Sequence, residues 1–280
     1  MTAPQVVPDV GPAPGLARFS FNQATAKHWP LEEAVAGCVD AGVPGIGLWR
    51  EPVGEYGAQR AARLVRAAGL TVTSLCRGGF FTADDWRTEN LRAIEEAATL
   101  DCPVLVLVSG GLPPGSRDLD GARQRVADGI AELAPHAAAA GVTLAIEPLH
   151  PMFCADRCVI ATLGQALDIA ERFEPGTVGV VVDAYHVWWD DTVYHQIARA
   201  GDRIAAFQVC DWTTPLPEGV LLGRALPGEG CIDLRRLRRA VDAAGYTGPI
   251  EVEVFHADVW ARPGREVLDA SVRGYREHVL

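Results

Sequence analysis

Short apolar runs alternate with helix-patterned segments about eight times along this chain, and that alternation limits the fold more than any other feature. The strand-like runs are ARFSFN (17–22), GIGLW (45–49), TVTSLC (71–76), VLVLV (104–108), VTLAIE (142–147), VGVVVD (178–183), RIAAFQV (203–209) and PIEVEVF (249–255). Their continuous apolar character reads as buried parallel strands. Between them, segments such as LEEAVAGCVDAG and LRRLRRAVDAAG carry apolar residues at helical spacing. Gly42, Gly69, Gly141 and Gly245 stand just before the next strand, where a left-handed residue ends a helix. No GxGxxG loop follows the first strand, so a closed α/β architecture, a single (β/α)8 TIM barrel over 17–280, is expected over a doubly wound sheet. A helix at roughly 263–278 closes the ring. The Pro- and Gly-rich residues 1–16 read as a flexible or extended arm, and no linker marks a second domain.

Composition narrows the function classes. The 280 residues are 49% hydrophobic and 22% charged, ordinary for a globular protein with a sizeable core. The net charge of -11 argues against a nucleic-acid partner, because phosphate binding needs a basic face. No run approaches the length of a membrane span, and MTAPQVVPDVGPAPG lacks the basic and apolar regions of a secretory signal. No membrane partner is therefore expected, and the cytoplasm is the default location. The seven cysteines form no CxxC pair; Cys154 and Cys158 are close, but no second pair completes a zinc site. Lys27 is the only lysine, which leaves Schiff-base chemistry one carrier.

Four runs end in a residue able to bind a hard cation: Glu147, Asp183, Gln208 and Glu253. Side chains alternate along a barrel strand between interior and helix layer. Thr143, Ala145 and Glu147 then share the interior face, as do Val181 with Asp183, Ala206 with Gln208, and Glu251, Glu253 with Phe255. A single acidic strand end is often only a helix N-cap. Four on consecutive strands, at the rim where barrel enzymes build their sites, make an all-oxygen cage for one divalent cation. The amide of Gln208 suits Mn²⁺ or Mg²⁺ better than structural zinc. Glu251 competes with Glu253, and the register from the GYTG turn favours Glu253.

The chain resembles, over essentially its whole length and by motifs in strands five to eight, the xylose-isomerase-like TIM barrel superfamily, which includes hydroxypyruvate isomerase and ketose 3-epimerases. The matching pieces are IEP (146–148), DxxH (183–186), QVCDW (208–212), PGEGCIDL (227–234) and GYTGPIEVEVF (245–255). The resemblance implies a metal on Glu147, Asp183, Gln208 and Glu253, with Gln208 standing where many relatives have His. It implies proton transfer beside a carbonyl through an enediolate, with Glu147 and Glu253 as acid and base and His186 contacting a substrate oxygen or metal water. Asn22, Gln23, Trp49 and Arg50 end the first two strands and are expected at the pocket. His150 and Arg224 are further substrate-side candidates, while Trp188 and Trp189 read as packing or an oligomer contact.

The expected activity is a metal-dependent isomerase or epimerase of a keto-sugar or a related small polyhydroxy carbonyl compound. No basic loop suited to a phosphate stands out, which points away from sugar phosphates. The same site used for elimination gives a dehydratase or a 3-keto C-glycoside lyase. A multi-zinc DNA-repair endonuclease needs more histidines and a basic surface. A homo-oligomer, or a non-catalytic barrel acting as a partner subunit, is the remaining alternative.

Overall fold

The structure, a computed structural model, describes residues 11–280 except Glu218. Its strands are β1 (Phe19–Asn22), β2 (Gly45–Trp49), β3 (Thr71–Gly79), β4 (Val104–Val108), β5 (Thr143–Glu147), β6 (Val178–Asp183), β7 (Ile204–Val209), β8 (Asp211–Trp212), β9 (Arg224–Ala225) and β10 (Ile250–Val252). Eight of them, β1 to β7 and β10, close into one parallel barrel in which β10 lies between β7 and β1. β8 and β9 pair antiparallel outside it. The eight expected strands are the eight barrel strands. β3 runs three residues further than expected, to Gly79, and β10 is shorter, although the Glu253 N–H still donates to the Val209 carbonyl at 3.2 Å.

Two apolar cores follow from strand alternation. Ile46, Leu48, Leu105, Leu107, Leu144, Ile146, Val180, Val182 and Phe207 face the helix layer. Cys76, Val104, Val106, Ala145, Val181 and Ala206 form a separate cluster inside the barrel. The helices bury matching stripes: Leu234, Leu237 and Val241 on Leu234–Ala243, and Ala61, Ala62 and Val65 on Ala58–Ala67. Gly42, Gly69, Gly141 and Gly245 all have positive φ, as expected of helix stops. The closing helix is Gly264–Gly274, continued by a π turn over Tyr275–Val279.

Of the stretch read as an arm, residues 1–10 lie outside the described residues. Leu16 is fully buried, and the Ala13 N–H donates to the Gly42 carbonyl at 3.0 Å. No helix among the described residues is long and apolar enough to cross a membrane.

Candidate metal centre and active site

The interior polar residues sit in two tiers. In the deeper tier, the Glu251 carboxylate accepts hydrogen bonds from Asn22 Nδ2 (2.8 Å), Thr73 Oγ1 (2.8 Å), Ser74 Oγ (2.8 Å) and Gln208 Nε2 (3.0 Å). Ser20 Oγ lies 2.7 Å from Thr73 Oγ1, and since Thr73 spends its proton on Glu251, Ser20 donates to Thr73. These hydroxyls come from β1 and β3 and were not singled out in the sequence. Their signal was a small polar residue at an interior position of an otherwise apolar run.

The upper tier holds the expected ligands. Glu147 ends β5, Asp183 ends β6 and Gln208 lies on β7, in register with both Asp183 and Glu251. Glu253 follows β10. Carboxylate oxygens of Glu147 and Asp183 and a ring nitrogen of His186 lie within 4.8 Å of one another, all buried. His186 is thus part of the tight cluster itself. Its Nδ1 accepts the His150 backbone N–H at 3.1 Å, and its Nε2 lies 3.7 Å from Asp183 Oδ2. Glu253 joins the cluster through Arg224, whose Nη1 donates to Glu253 Oε2 (2.8 Å) and Asp183 Oδ2 (3.2 Å). The β8–β9 pair delivers Arg224 to this position. Arg224 Nη2 lies 3.0 Å from His186 Nε2.

Charge in this volume is unbalanced. Glu147, Asp183, Glu251 and Glu253 are each no more than 6% exposed, against one buried cation, Arg224. Burial pushes the Glu147 carboxyl well up, and Asp183 and Glu253 push it further. Burial raises Asp183 against the opposing pull of Arg224. Glu253 is pushed up to about 7, again by burial, with Arg224 opposing. Burial and the nearby Arg224 charge lower His186 far below its usual range, so the ring is neutral. Gln208 Oε1 is buried without a hydrogen-bond partner. Excess buried carboxylate, a neutral imidazole and an unused amide oxygen are the donors a hard or borderline divalent cation takes. The residues present fit such an ion.

The other expected residues divide. Asn22 is saturated: its nitrogen serves Glu251 and Glu253 (3.1 Å), and its oxygen accepts from Trp49 Nε1 (3.0 Å) and the Ala24 N–H (2.9 Å). It therefore fixes a carboxylate instead of offering itself to the pocket. Trp49 packs edge-on against Phe255, 5.4 Å between centroids. Arg50 is spent on an ion pair with Glu96 at 2.5 Å and has no contact with the carboxylate cluster among the bonds of the described residues. His150 packs between Trp189 (5.3 Å) and Trp212 (5.2 Å), and Trp188 packs on Trp212 (5.4 Å), forming an aromatic wall beside His186. Cys158 lies 3.1 Å from Ser109 Oγ in the core, and Cys154 has no part in the cluster.

Known proteins are similar to this chain to different extents. The crystal structure of SMc04130 from Sinorhizobium meliloti 1021 is 49% identical, covers 94% of this chain and 98% of its own, and superimposes with a TM-score of 0.91. Inosose isomerase of Halalkalibacterium halodurans is 28% identical over 142 residues, half of this chain (50%) and 49% of the relative. The 3-dehydroshikimate dehydratase of Pseudomonas aeruginosa is 31% identical over 167 residues, 58% of this chain and 25% of the relative. The chain thus spans half or less of these two curated relatives. The family model described as xylose isomerase-like TIM barrel matches residues 35–278. With the match running from the first helix to the closing turn, this chain belongs to the xylose isomerase-like TIM barrel family.

Proposed function

We propose that the protein is a divalent-metal-dependent isomerase or epimerase acting on a keto-sugar or a related small polyhydroxy carbonyl compound. One observation carries the reading: among the described residues four carboxylates, Glu251 below the rim and Glu147, Asp183 and Glu253 at it, are buried with one buried arginine and with an amide oxygen that has no partner. Glu147, Asp183, Gln208 and Glu253 would hold the ion, with His186 at their edge. When bound, the ion polarises a substrate carbonyl and stabilises the charge that develops on its oxygen.

The remaining work falls to the chain. Taking and returning a proton needs a carboxyl held in one direction, and burial, which in the ion-free protein raises Glu253 to about 7, leaves it dry and fixed in place. Asn22 and Arg224 hold its two oxygens from different sides, which fixes the direction in which it receives a proton. Glu147, from the strand across the barrel, is the partner group. Abstraction from the carbon beside the carbonyl gives an enediolate. Return of the proton to the neighbouring carbon gives isomerisation, and return to the opposite face of the same carbon gives epimerisation. Trp189, His150 and Trp212 pack as an aromatic group beside His186.

A second reading keeps the same acid and base: if the carbon next to the carbanion carries a leaving hydroxyl, the electron pair expels it and water departs. The 31% identity to a dehydratase favours giving this reading a place in the assay.

The test is metal analysis of the purified protein, followed by turnover of a panel of ketoses and keto acids with Mg²⁺ or Mn²⁺ in deuterated water. Deuterium at the carbon beside the carbonyl, loss of activity with chelator, and a fall of about a hundredfold or more in kcat for Glu253→Gln are expected. A product lacking water selects elimination. Protein that binds no divalent ion, or a Glu253→Gln variant with undiminished turnover, overturns the proposal.

A further inference from the structure

Two pieces of sequence have no role in the chemistry above: Asp211, within QVCDW, and the PGEG turn at 227–230. The fold places one on the other. Asp211 is 1% exposed, and its carboxylate accepts three backbone N–H groups. Trp212 (2.9 Å) and Ile232 (2.9 Å) donate to Oδ1, and Gly228 (3.0 Å) donates to Oδ2. Bonds to an ionised carboxylate are strong, so residues 228–232 are wrapped around it. Glycine at 230 lets the wrap close: a Cβ there would lie 2.5 Å from Asp211 Oδ1 and 2.4 Å from the Trp212 carbonyl oxygen. Gly228 has a φ of +93°, and a Cβ on it would meet the ring of His278, so the turn also packs against the π turn after the closing helix.

The strand that carries Arg224 lies between these anchors. β9 pairs with β8 residue by residue, Ala225 with Asp211 and Arg224 with Trp212. The Thr213 N–H and hydroxyl both donate to the Gly223 carbonyl, at 3.3 and 3.0 Å. Just beyond β9, the Gly228 N–H ties the chain back to Asp211. The Arg224 guanidinium lies over the rings of Tyr185 (4.9 Å) and Phe255 (4.8 Å), which restrict its swing. How far it reaches is therefore set by where β9 holds its backbone. Its bonds to Glu253 (2.8 Å) and Asp183 (3.2 Å) leave little margin, and a retreat of β9 by about 1 Å takes both out of hydrogen-bond range.

We propose that Asp211 is a positioning residue for Arg224: its carboxylate fixes the PGEG turn and β9, and so sets where the guanidinium meets Asp183 and Glu253. The inference rests on the function proposed above for what Arg224 does at Glu253. It gives the QVCDW and PGEG segments one joint task, as the two halves of a mount for an arginine that neither contains.

The experiment is ¹⁵N–¹H NMR of the protein in chelator, observing the Arg224 Nε–H, which is buried without a partner and so shielded from exchange. Its resonance is assigned by its absence from Arg224→Lys. In Asp211→Asn one carboxylate oxygen becomes an amide nitrogen, which can accept none of the three N–H groups. Gly230→Ala pushes the carboxylate aside from the loop. In both variants the Arg224 resonance is expected to move and its hydrogen exchange to quicken about tenfold or more. Asp118→Ala, which removes only the side chain that caps the helix Leu119–Ala139, is expected to leave both unchanged. If Asp211→Asn does not fold, Gly230→Ala decides alone. An unmoved resonance with unchanged exchange in the folded variants overturns the inference and leaves Asp211 a support of the loop only. This readout needs neither ion nor substrate, so failure of the proposed function shows separately, as absence of metal binding or turnover. With turnover in hand, kcat of Asp211→Asn is expected to fall about ten- to a hundredfold with KM little changed. A fall of that size beside an unmoved Arg224 resonance also overturns the inference.

Discussion

Gln208 donates its amide nitrogen to Glu251 at 3.0 Å, and this bond decides which end of the amide faces the cluster. With Asn22, Thr73 and Ser74 also donating to Glu251, the carboxylate takes protons from every side and offers none, so Gln208 cannot turn its oxygen inward. The oxygen is left free beside Asp183, its register partner. Glu251 is thereby a positioning residue for Gln208, a role distinct from that of Glu253 two positions on.

Glu251→Gln tests this relationship. A glutamine at that place can donate as well as accept, so Gln208 loses the partner that fixes its orientation, and the interior loses one negative charge. Affinity for Mg²⁺ or Mn²⁺ is expected to fall about ten- to a hundredfold, read by calorimetric titration of the folded variant. Unchanged affinity would mean that the amide is held by something else.

How much of this was legible in the sequence depends on whether a residue's partner is local. The barrel was, because an apolar strand run, helical spacing and a glycine stop are written within each strand–helix unit. Glu147, Asp183, Gln208 and Glu253 were legible as a set for the same reason, each being an interior polar residue at a strand end. Asn22 was placed at the pocket by its position, but its bonds to Glu251 and Glu253 join residues more than two hundred positions apart. Arg50, just past the end of β2, is paired instead with Glu96, a partner on another helix that no local pattern reveals. Arg224 reaches the cluster through the two-residue strands β8 and β9, too short to leave a periodic signal.

Arg224 is the only buried counter-charge of the cluster among the described residues, so its removal has a defined cost. Arg224→Met leaves Asp183 and Glu253 facing each other without the bridging guanidinium. In chelator at about pH 8, unfolding free energy is expected to fall by about 3–5 kcal/mol, measured by urea denaturation. At about pH 5 the loss is smaller, because Glu253 takes up a proton and relieves the repulsion. A loss independent of pH would place the role of Arg224 in packing.

The wild-type protein without metal has a pH dependence of definite sign. Glu253 moves from an ordinary 4.5 in the unfolded chain to about 7 in the folded one. Between these values the folded state binds more protons, so its contribution to stability is full below about 4.5 and is lost as pH rises through about 7. Glu147 and Asp183 are shifted in the same direction and add to the trend. A divalent ion binds the deprotonated carboxylates and reverses it. The increase in Tm on adding Mg²⁺ or Mn²⁺ is therefore expected to be larger at about pH 8 than at about pH 5, with protons released on binding. A metal-induced shift that grows as pH falls contradicts this assignment of buried acids.

Gly47 is the residue whose absence of a side chain the site most directly uses. In β2 it is paired with Asn22 of β1 and Ser74 of β3, the neighbours that donate to Glu251 from either side. A Cβ built there would lie 2.5 Å from Glu251 Oε2, 2.6 Å from its Cδ and 2.8 Å from Oε1. The carboxylate rests directly on the glycine, and four hydrogen-bond donors prevent it from moving aside. Gly47→Ala is expected to cost about 1–3 kcal/mol of stability by overpacking. By displacing Glu251 it should also release Gln208 and weaken metal binding as Glu251→Gln does. The control is Gly54→Ala, on a helix with nothing within 4 Å of the added methyl group, which should be neutral or stabilising by up to about 1 kcal/mol. Chemical denaturation and metal titration of the two variants give both readings. Equal behaviour of the two would show that the Glu251 carboxylate has room to shift, and that its contacts with Asn22, Ser74 and Gln208 do not hold the upper tier in place.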